Sequence, residues 1–382
     1  ISGARKFWNA HWASIMVGMA FFFGLVIRMQ WFVVPSMNAY GTGNWDMTGG
    51  SDPWYMKRVV DYIIANEAHL IVDADRAYPL GGVNPRPPLF TWSIAIVSML
   101  LEPMLGEDAV WYAMLGLPAI YGALTIFPIA TIAKDHFGKS ASVVAAWLIS
   151  FMPAHVSHST WGLADHDAFV MLFISLGFMY WMKAVKFSGS ERLTRTSSPR
   201  LSAIFSSFGV VARERKAAMS FAVLAGVSFG VASLGWKGFV VGPSILFLAY
   251  FAQVALNMFR RRDSTTINAL FLAMLGVNLL MALPFYGHPQ LDLIFDGTGL
   301  QPFLFVLGFS LVISYVTTGF RDKPWLLVLG TLTVIATVFF ILLWTLKQFD
   351  ISNAWDVLFT GSGYFTKTKI FGTVAEANAP DR

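Results

Sequence analysis

Residues 325–346 read WLLVLGTLTVIATVFFILLWTL, 22 residues in a row without a charge. An α-helix rises about 1.5 Å per residue, so this stretch crosses the roughly 30 Å hydrocarbon core of a bilayer. Comparable apolar runs lie at about 11–34, 108–133, 140–157, 168–183, 218–235, 238–258, 267–285 and 301–319. Hydrophobic residues make up 56% of the chain and charged residues only 13%, where a soluble domain carries about 25% charged. The sequence is therefore that of an all-α polytopic membrane protein with about nine spans. Its lack of cysteine excludes disulfides, thiolate metal sites and cysteine nucleophiles.

Basic residues set the orientation, because cytoplasmic loops collect Lys and Arg. Arg5 and Lys6 precede the first span, Lys134 and Lys139 bracket a short turn, and Arg260, Arg261 and Arg262 follow a hairpin. A further basic stretch, from Lys183 to Lys216 with a Ser/Thr-rich middle, reads as a mobile cytoplasmic loop. All of these share one side if the apolar segment at about 88–105, bounded by Pro87-Pro88 and broken by Glu102-Pro103, lies in the interface or re-enters without crossing. The net charge of +5 is thereby explained by sidedness, and no nucleic-acid partner is expected. The domain plan is a membrane domain over 1–346, including an external loop at 35–107, and an external tail at 347–382. The polar end at Arg382 reads as part of a longer protein.

On this plan Asp52, the Asp165-His166-Asp167 triplet and Glu376 fall just outside spans, on one side. Carboxylates near lipid are costly and mark functional sites. Each also has a plainer reading: Asp52 as the cap of a helix starting at Pro53, the triplet as a helix N-terminus, Glu376 as a solvated loop acid. Two carboxylates in a D-x-D triplet converge on one hard cation and leave positions open for water and phosphate oxygens. His166 adds a nitrogen ligand if the ion is Mn²⁺ in place of Mg²⁺. His158 faces an anion or water, and Trp236-Lys237, at a hairpin tip, meet a phosphate headgroup or serve as interface anchors. Arg28, inside the first span, is expected to snorkel to the nearby interface, and Pro128, Pro153 and Pro284 to kink their spans.

Taken in order, these elements resemble the catalytic subunit of N-linked oligosaccharyltransferases, of the GT-C glycosyltransferase class. The resemblance rests on Ser51-Asp52-Pro53-Trp54-Tyr55, Tyr78-Pro79 to Pro87-Pro88-Leu89-Phe90, Ser157-His158-Ser159-Thr160-Trp161-Gly162 leading into Asp165-His166-Asp167, and Thr373-Val374-Ala375-Glu376 in place of a T-I-x-E-like signature. The triplet is closer to archaeal members than to eukaryotic ones. The sequence departs from the family at His158, where Arg is common, and in lacking the last spans and the external C-terminal domain with its W-W-D-Y-G motif.

The resemblance implies a GT-C helix bundle with long external loops. It implies transfer of an oligosaccharide from a polyprenyl phosphate or pyrophosphate carrier to Asn in an N-x-Ser/Thr acceptor, with inversion, at the external face of the cell membrane. Asp52 and Glu376 would orient the acceptor amide, whose nitrogen lone pair is otherwise delocalised. Asp52, Asp165, Asp167 and His166 would hold Mn²⁺ or Mg²⁺, and His158, Trp236 and Lys237 would meet the lipid phosphate. The glycan, the carrier's phosphate number and any accessory subunits stay open. Two rivals remain at this point: a GT-C protein O-mannosyltransferase, which would lack the Glu376 element, and an ion-coupled transporter, which would place acids near mid-bilayer.

Overall fold

A backbone in lipid must satisfy its own N–H and C=O groups, so the apolar runs fold as helices. The computed structural model describes residues 2–29, 45, 47–48, 50–76, 78–189, 193, 199–294 and 300–348. These fall into two compact units, Ile1–Met182 with Ser228–Phe239, and Lys183–Val227 with Val240–Arg382. Among the described residues, eight segments are long and apolar enough to cross a membrane.

The first unit contains α1 (Ser2–Met29), α2 (Ser51–Asn66), a two-stranded hairpin pairing Val72 with Val83, and α3 (Leu89–Leu105). It continues through α4 (Ala109–Leu124), α5 (Ile126–Phe137), α6 (Lys139–Phe151) and α7 (Pro153–Ser157) into α8 (Asp167–Phe187). α1, α5 and α6 pack through small residues: Ala20, Ile126, Ala130 and Ala146 form a buried cluster. Close approach lets hydroxyls bond across helices, and Ser150 Oγ donates to Ala20 O at 3.0 Å while Ser142 Oγ donates to Ala130 O at 2.8 Å.

The expected span at 140–157 is not one continuous helix but two, α6 and α7, parted at Met152. α6 has 13 residues, about 20 Å of helix, and is not among the eight segments long enough to cross. Pro153 forces the preceding residue out of the helical region, and Met152 accordingly sits at ψ 114°. α6 still runs along α1, from Lys139 near Ala10 O (3.5 Å) to Ser150 O near the Arg28 guanidinium (3.2 Å), and α7 carries the chain onward.

α3, 17 residues long, belongs to one continuous apolar stretch, Leu89–Phe137, that runs on through α4 and α5. At its start the Leu89 N–H bonds Leu234 O at 2.7 Å, and Phe90 meets Phe169. At its other end Asp108 accepts from Trp45 Nε1 at 3.0 Å, and Trp111 meets Trp45 and Trp54. Tyr121, in the last two turns of α4, also touches Phe169, so α3 and α4 form an antiparallel hairpin whose ends lie among the ends of α2 and α8.

Arg28 does not snorkel. It is fully buried, and its guanidinium bonds Ser159 Oγ (2.9 Å), Gly24 O (2.8 Å), Ser150 O (3.2 Å), Ile149 O (3.3 Å) and His155 Nδ1 (2.7 Å). All five partners are neutral acceptors, so the charge is solvated by protein dipoles in place of water. Gly122 makes the contact possible, because a Cβ there would collide with Ser159 and the Arg28 side chain.

The second unit holds α9 (Leu201–Glu214), most of α10 (Lys216–Ser233), α11 (Val241–Phe259), α12 (Thr265–Tyr286), α13 (Gln301–Gly319) and α14 (Trp325–Gln348). α9 corrects the reading of the Lys183–Lys216 stretch as a loop: Ile204 and Val211, seven residues apart on one face, are buried. A buried polar network ties α11, α12 and α13, with Tyr250 OH donating to Asn268 Oδ1 at 2.9 Å and Asn268 Nδ2 to Thr317 and Thr318 at 2.9 Å each.

Two outcomes follow from the first unit. Arg28→Met should lower thermal stability by about 3 kcal/mol, the scale of stranding several buried acceptors, while Arg28→Lys should recover part of it; an unchanged melting temperature for Arg28→Met would refute the role given to this side chain. If α3 does not cross, a cysteine introduced at Lys139, unique in this cysteine-free chain, should resist a membrane-impermeant thiol reagent in intact cells and react after permeabilisation. Labelling from outside would mean that α3 spans the membrane.

Candidate active site

The loop between α7 and α8 is held at three backbone points. The Trp161 N–H bonds Arg28 O (2.7 Å), the Gly162 N–H bonds Leu115 O (3.2 Å), and Gly162 O receives the Thr48 N–H (3.0 Å). Gly162 has φ +97°, a conformation that strains residues with a Cβ. The Trp161 ring fills the space that a side chain at position 116 would need, since Gly116 lies directly against it. The next residues, Leu163 to Asp167, are therefore delivered from a fixed platform.

Asp165, His166 and Asp167 each offer a donor atom, and these atoms lie within 4.8 Å of one another in a half-buried setting. The His166 backbone N–H donates to Asp165 Oδ1 at 2.7 Å. His166 Nδ1 lies 2.5 Å from the same oxygen, close enough for charge pairing but not aligned as a hydrogen bond, which leaves this buried nitrogen without a directed partner. Its Nε2 is 4.0 Å from Asp167 Oδ1. Burial works to raise the pKa of the Asp165 carboxyl, but the His166 side chain and N–H and the Arg86 charge outweigh it and hold it below its ordinary value. For His166 burial works downward, and Asp165, with help from Asp167, outweighs it and raises the imidazole.

Two carboxylates and an imidazole with an undirected buried nitrogen suit a divalent cation that accepts both oxygen and nitrogen ligands. The same cation would compete with a proton for His166. Asp167 is also the first residue of α8, so the plainer helix-start reading holds alongside the ligand reading. There its Oδ2 lies 2.7 Å from His158 Nδ1.

Asp52 lies outside this group. It sits in the first turn of α2, which begins at Ser51 with Gly50 as N-cap and no side-chain cap, so the capping role does not apply. Its Oδ1 instead accepts from Arg86 Nη2 at 2.7 Å. The Arg86 charge also acts, as the smallest contribution, on Asp165 and His166, which couples the two acidic elements electrostatically. The sequence reading missed Arg86. Its signal was a lone cation between Pro85 and Pro87 in a loop otherwise rich in acids. Trp236 approaches the site, its ring 6.1 Å from that of His166, and Lys237 begins the short 3-10 turn that follows. Glu376 lies outside the described residues.

Comparison with known proteins gives this geometry a context. The family described as oligosaccharyl transferase STT3, N-terminal, matches residues 21–350. One relative, dolichyl-phosphooligosaccharide-protein glycotransferase 3 of Archaeoglobus fulgidus, is 29% identical over 252 residues, covering 65% of this chain and 27% of its own length. The chain thus spans about a quarter of that relative. The solved archaeal oligosaccharyltransferase AglB from Archaeoglobus fulgidus, in complex with an inhibitory peptide and a dolichol-phosphate, superposes with TM-score 0.74 at 20% identity, over 96% of this chain and 41% of that one. The Archaeoglobus fulgidus oligosaccharyltransferase in complex with Zn and sulfate does so with TM-score 0.65 at 21% identity, over 94% and 43%. At these identities the superpositions show a shared fold. The family match, which runs over most of the sequence, makes this chain a member of the oligosaccharyl transferase STT3 family, in that family's N-terminal region.

Proposed function

We propose that the intact protein is a glycosyltransferase that moves an oligosaccharide from a polyprenyl phosphate or pyrophosphate carrier to the Asn amide of N-x-Ser/Thr sequons at the external face of the cell membrane. The observation that carries this reading is the Asp165-His166-Asp167 group, whose donor atoms converge within 4.8 Å, together with Asp52 paired to an Arg86 whose charge also reaches Asp165. The names of the family and of the glycotransferase relative support the reaction class. The dolichol-phosphate and peptide of the solved AglB complex support the two substrates.

Asp165 and Asp167, with His166 and with Asp52 released from Arg86, would hold Mn²⁺ or Mg²⁺. Such an ion, when bound, offsets phosphate charge as the sugar–oxygen bond breaks. Asp52 accepts one N–H of the acceptor amide and Glu376, from the tail at 347–382, the other. The paired carboxylates turn the amide and weaken its conjugation, so that the nitrogen lone pair attacks the anomeric carbon in line and inverts it. Trp236 and Lys237, with His158, flank the site where the carrier's phosphate would lie. Placement at a membrane face keeps the carrier's tail in the bilayer while its sugar reaches the acids. Acids at the starts of α2 and α8, and not at mid-bilayer, disfavour an ion-coupled transporter.

Removing a charged ligand forfeits several kcal/mol of transition-state stabilisation, and each 1.4 kcal/mol is about tenfold in rate. Asp52→Ala and Asp165→Ala in the full-length enzyme should each reduce glycan transfer to a sequon peptide by about a hundredfold or more and weaken Mn²⁺ binding. A chelator should abolish transfer by the parent. Near-parental rates in either variant, with no response to chelator, would rule out the metal mechanism.

A further inference from the structure

Away from the acids, the second unit contains a cavity of about 890 Å³ between the α11–α12 and α13–α14 connections. Arg261, Arg262, Arg321 and Lys323 line it, with Asp263 and Asp322. Arg321 is committed, its Nη1 lying 3.3 Å from Asp263 Oδ2 and 3.3 Å from Thr265 Oγ1. Asp263 also accepts from the Thr265 N–H and hydroxyl, at 3.0 and 2.6 Å. Arg261, Arg262 and Lys323 form no ion pair among the described residues, and all three are exposed. The backbone is bent to present them: Arg261 takes φ +53°, with its N–H on Met258 O (3.1 Å) and the Arg262 N–H on Asn257 O (2.8 Å). A non-glycine residue held in the left-handed region is uncommon and points to a local role. Trp325 and Leu326, in the first turn of α14, complete the lining, where the helix dipole favours an anion.

The cavity does not end in polar walls. Met258 and Trp325 also line an adjoining apolar groove, together with Val254, Ile313, Leu329 and Leu332 from α11, α13 and α14. A cationic chamber opening into an apolar groove between membrane helices matches one chemistry, an anionic head joined to an acyl chain. Basic pockets between membrane helices bind lipid headgroups in this way, Arg pairs with phosphate through charge-assisted hydrogen bonds, and Trp settles at the headgroup level. We infer that this chamber binds an anionic phospholipid, with its phosphate on Arg261, Arg262 and Lys323 and one chain in the groove between α11 and α14. The site shares no residue with the acidic group and does not depend on the proposed reaction.

The test uses the full-length protein in mild detergent, with native mass spectrometry and thermal unfolding as readouts. Phosphatidylglycerol should remain bound as a resolved adduct and raise the melting temperature by about 3 °C or more, while phosphatidylcholine and inorganic phosphate should do neither. Arg261→Gln/Arg262→Gln/Lys323→Gln should lose the adduct and the shift while melting like the parent in phosphatidylcholine. Ala255→Trp, which obstructs the groove, should lose them with the cations intact. If the triple variant does not fold, Arg262→Gln alone should reduce adduct occupancy at least threefold. Equal retention of the two lipids, an equal shift with inorganic phosphate, or adducts unchanged in the variants would each overturn the assignment.

Discussion

A single guanidinium without water organises the first unit. Arg28 draws acceptors from three parts of the chain: Gly24 in its own helix, Ile149 and Ser150 at the end of α6, and His155 and Ser159 beyond the Pro153 break. Each acceptor buried there without a donor would be costly, and so would the charge without the acceptors. The arrangement therefore stands as a whole. It also sets the position of the next residues, because the Trp161 N–H bonds the carbonyl of Arg28 itself. The path from the first membrane helix to Asp165 is four residues of pinned loop. A metal site of the kind proposed needs ligands placed to within fractions of an ångström, and the placement of these residues starts at the end of α1.

The acids are arranged so that their charge is bearable without an ion. Asp165 has the His166 imidazole and N–H, Asp167 has His158, and Asp52 has Arg86. The Asp52–Arg86 pair is partly exposed, at 42% and 29% for the two side chains, and pairs of that kind contribute about 1 kcal/mol or less. Asp52 can therefore exchange Arg86 for a stronger partner at small cost. The proline on each side of Arg86 narrows the backbone freedom of its loop, which helps to hold the guanidinium on Asp52.

What could be read from the chain follows from how local each signal is. The apolar runs report directly on helices because lipid leaves the backbone no alternative, and residues 325–346 needed no context. The Asp165-His166-Asp167 group was also legible, since its members are adjacent in sequence. Arg28 was not: its partners at 149–159 are more than 120 residues away, so an interface-seeking side chain was the reasonable reading of its local position. α9 was hidden because its short apolar stretch, residues 201–212, is bordered by arginines and follows a Ser/Thr-rich segment, surroundings that also describe a loop. Pro153 was visible as a kink, but whether a proline bends a helix or ends it depends on what packs next to it. Arg86 was missed because its partner, Asp52, stands 34 residues away in the sequence.

The central claim is that Asp52 joins the Asp165-His166-Asp167 group around one divalent ion. Anomalous diffraction from crystals of the full-length protein grown with Mn²⁺ tests it most directly. The account predicts one ion with carboxylate oxygens of both Asp52 and Asp165 at about 2.0–2.6 Å, Asp167 or His166 completing the protein ligands, and Arg86 moved off Asp52. An ion bound elsewhere, or one held by the triplet while Asp52 stays on Arg86, would contradict it.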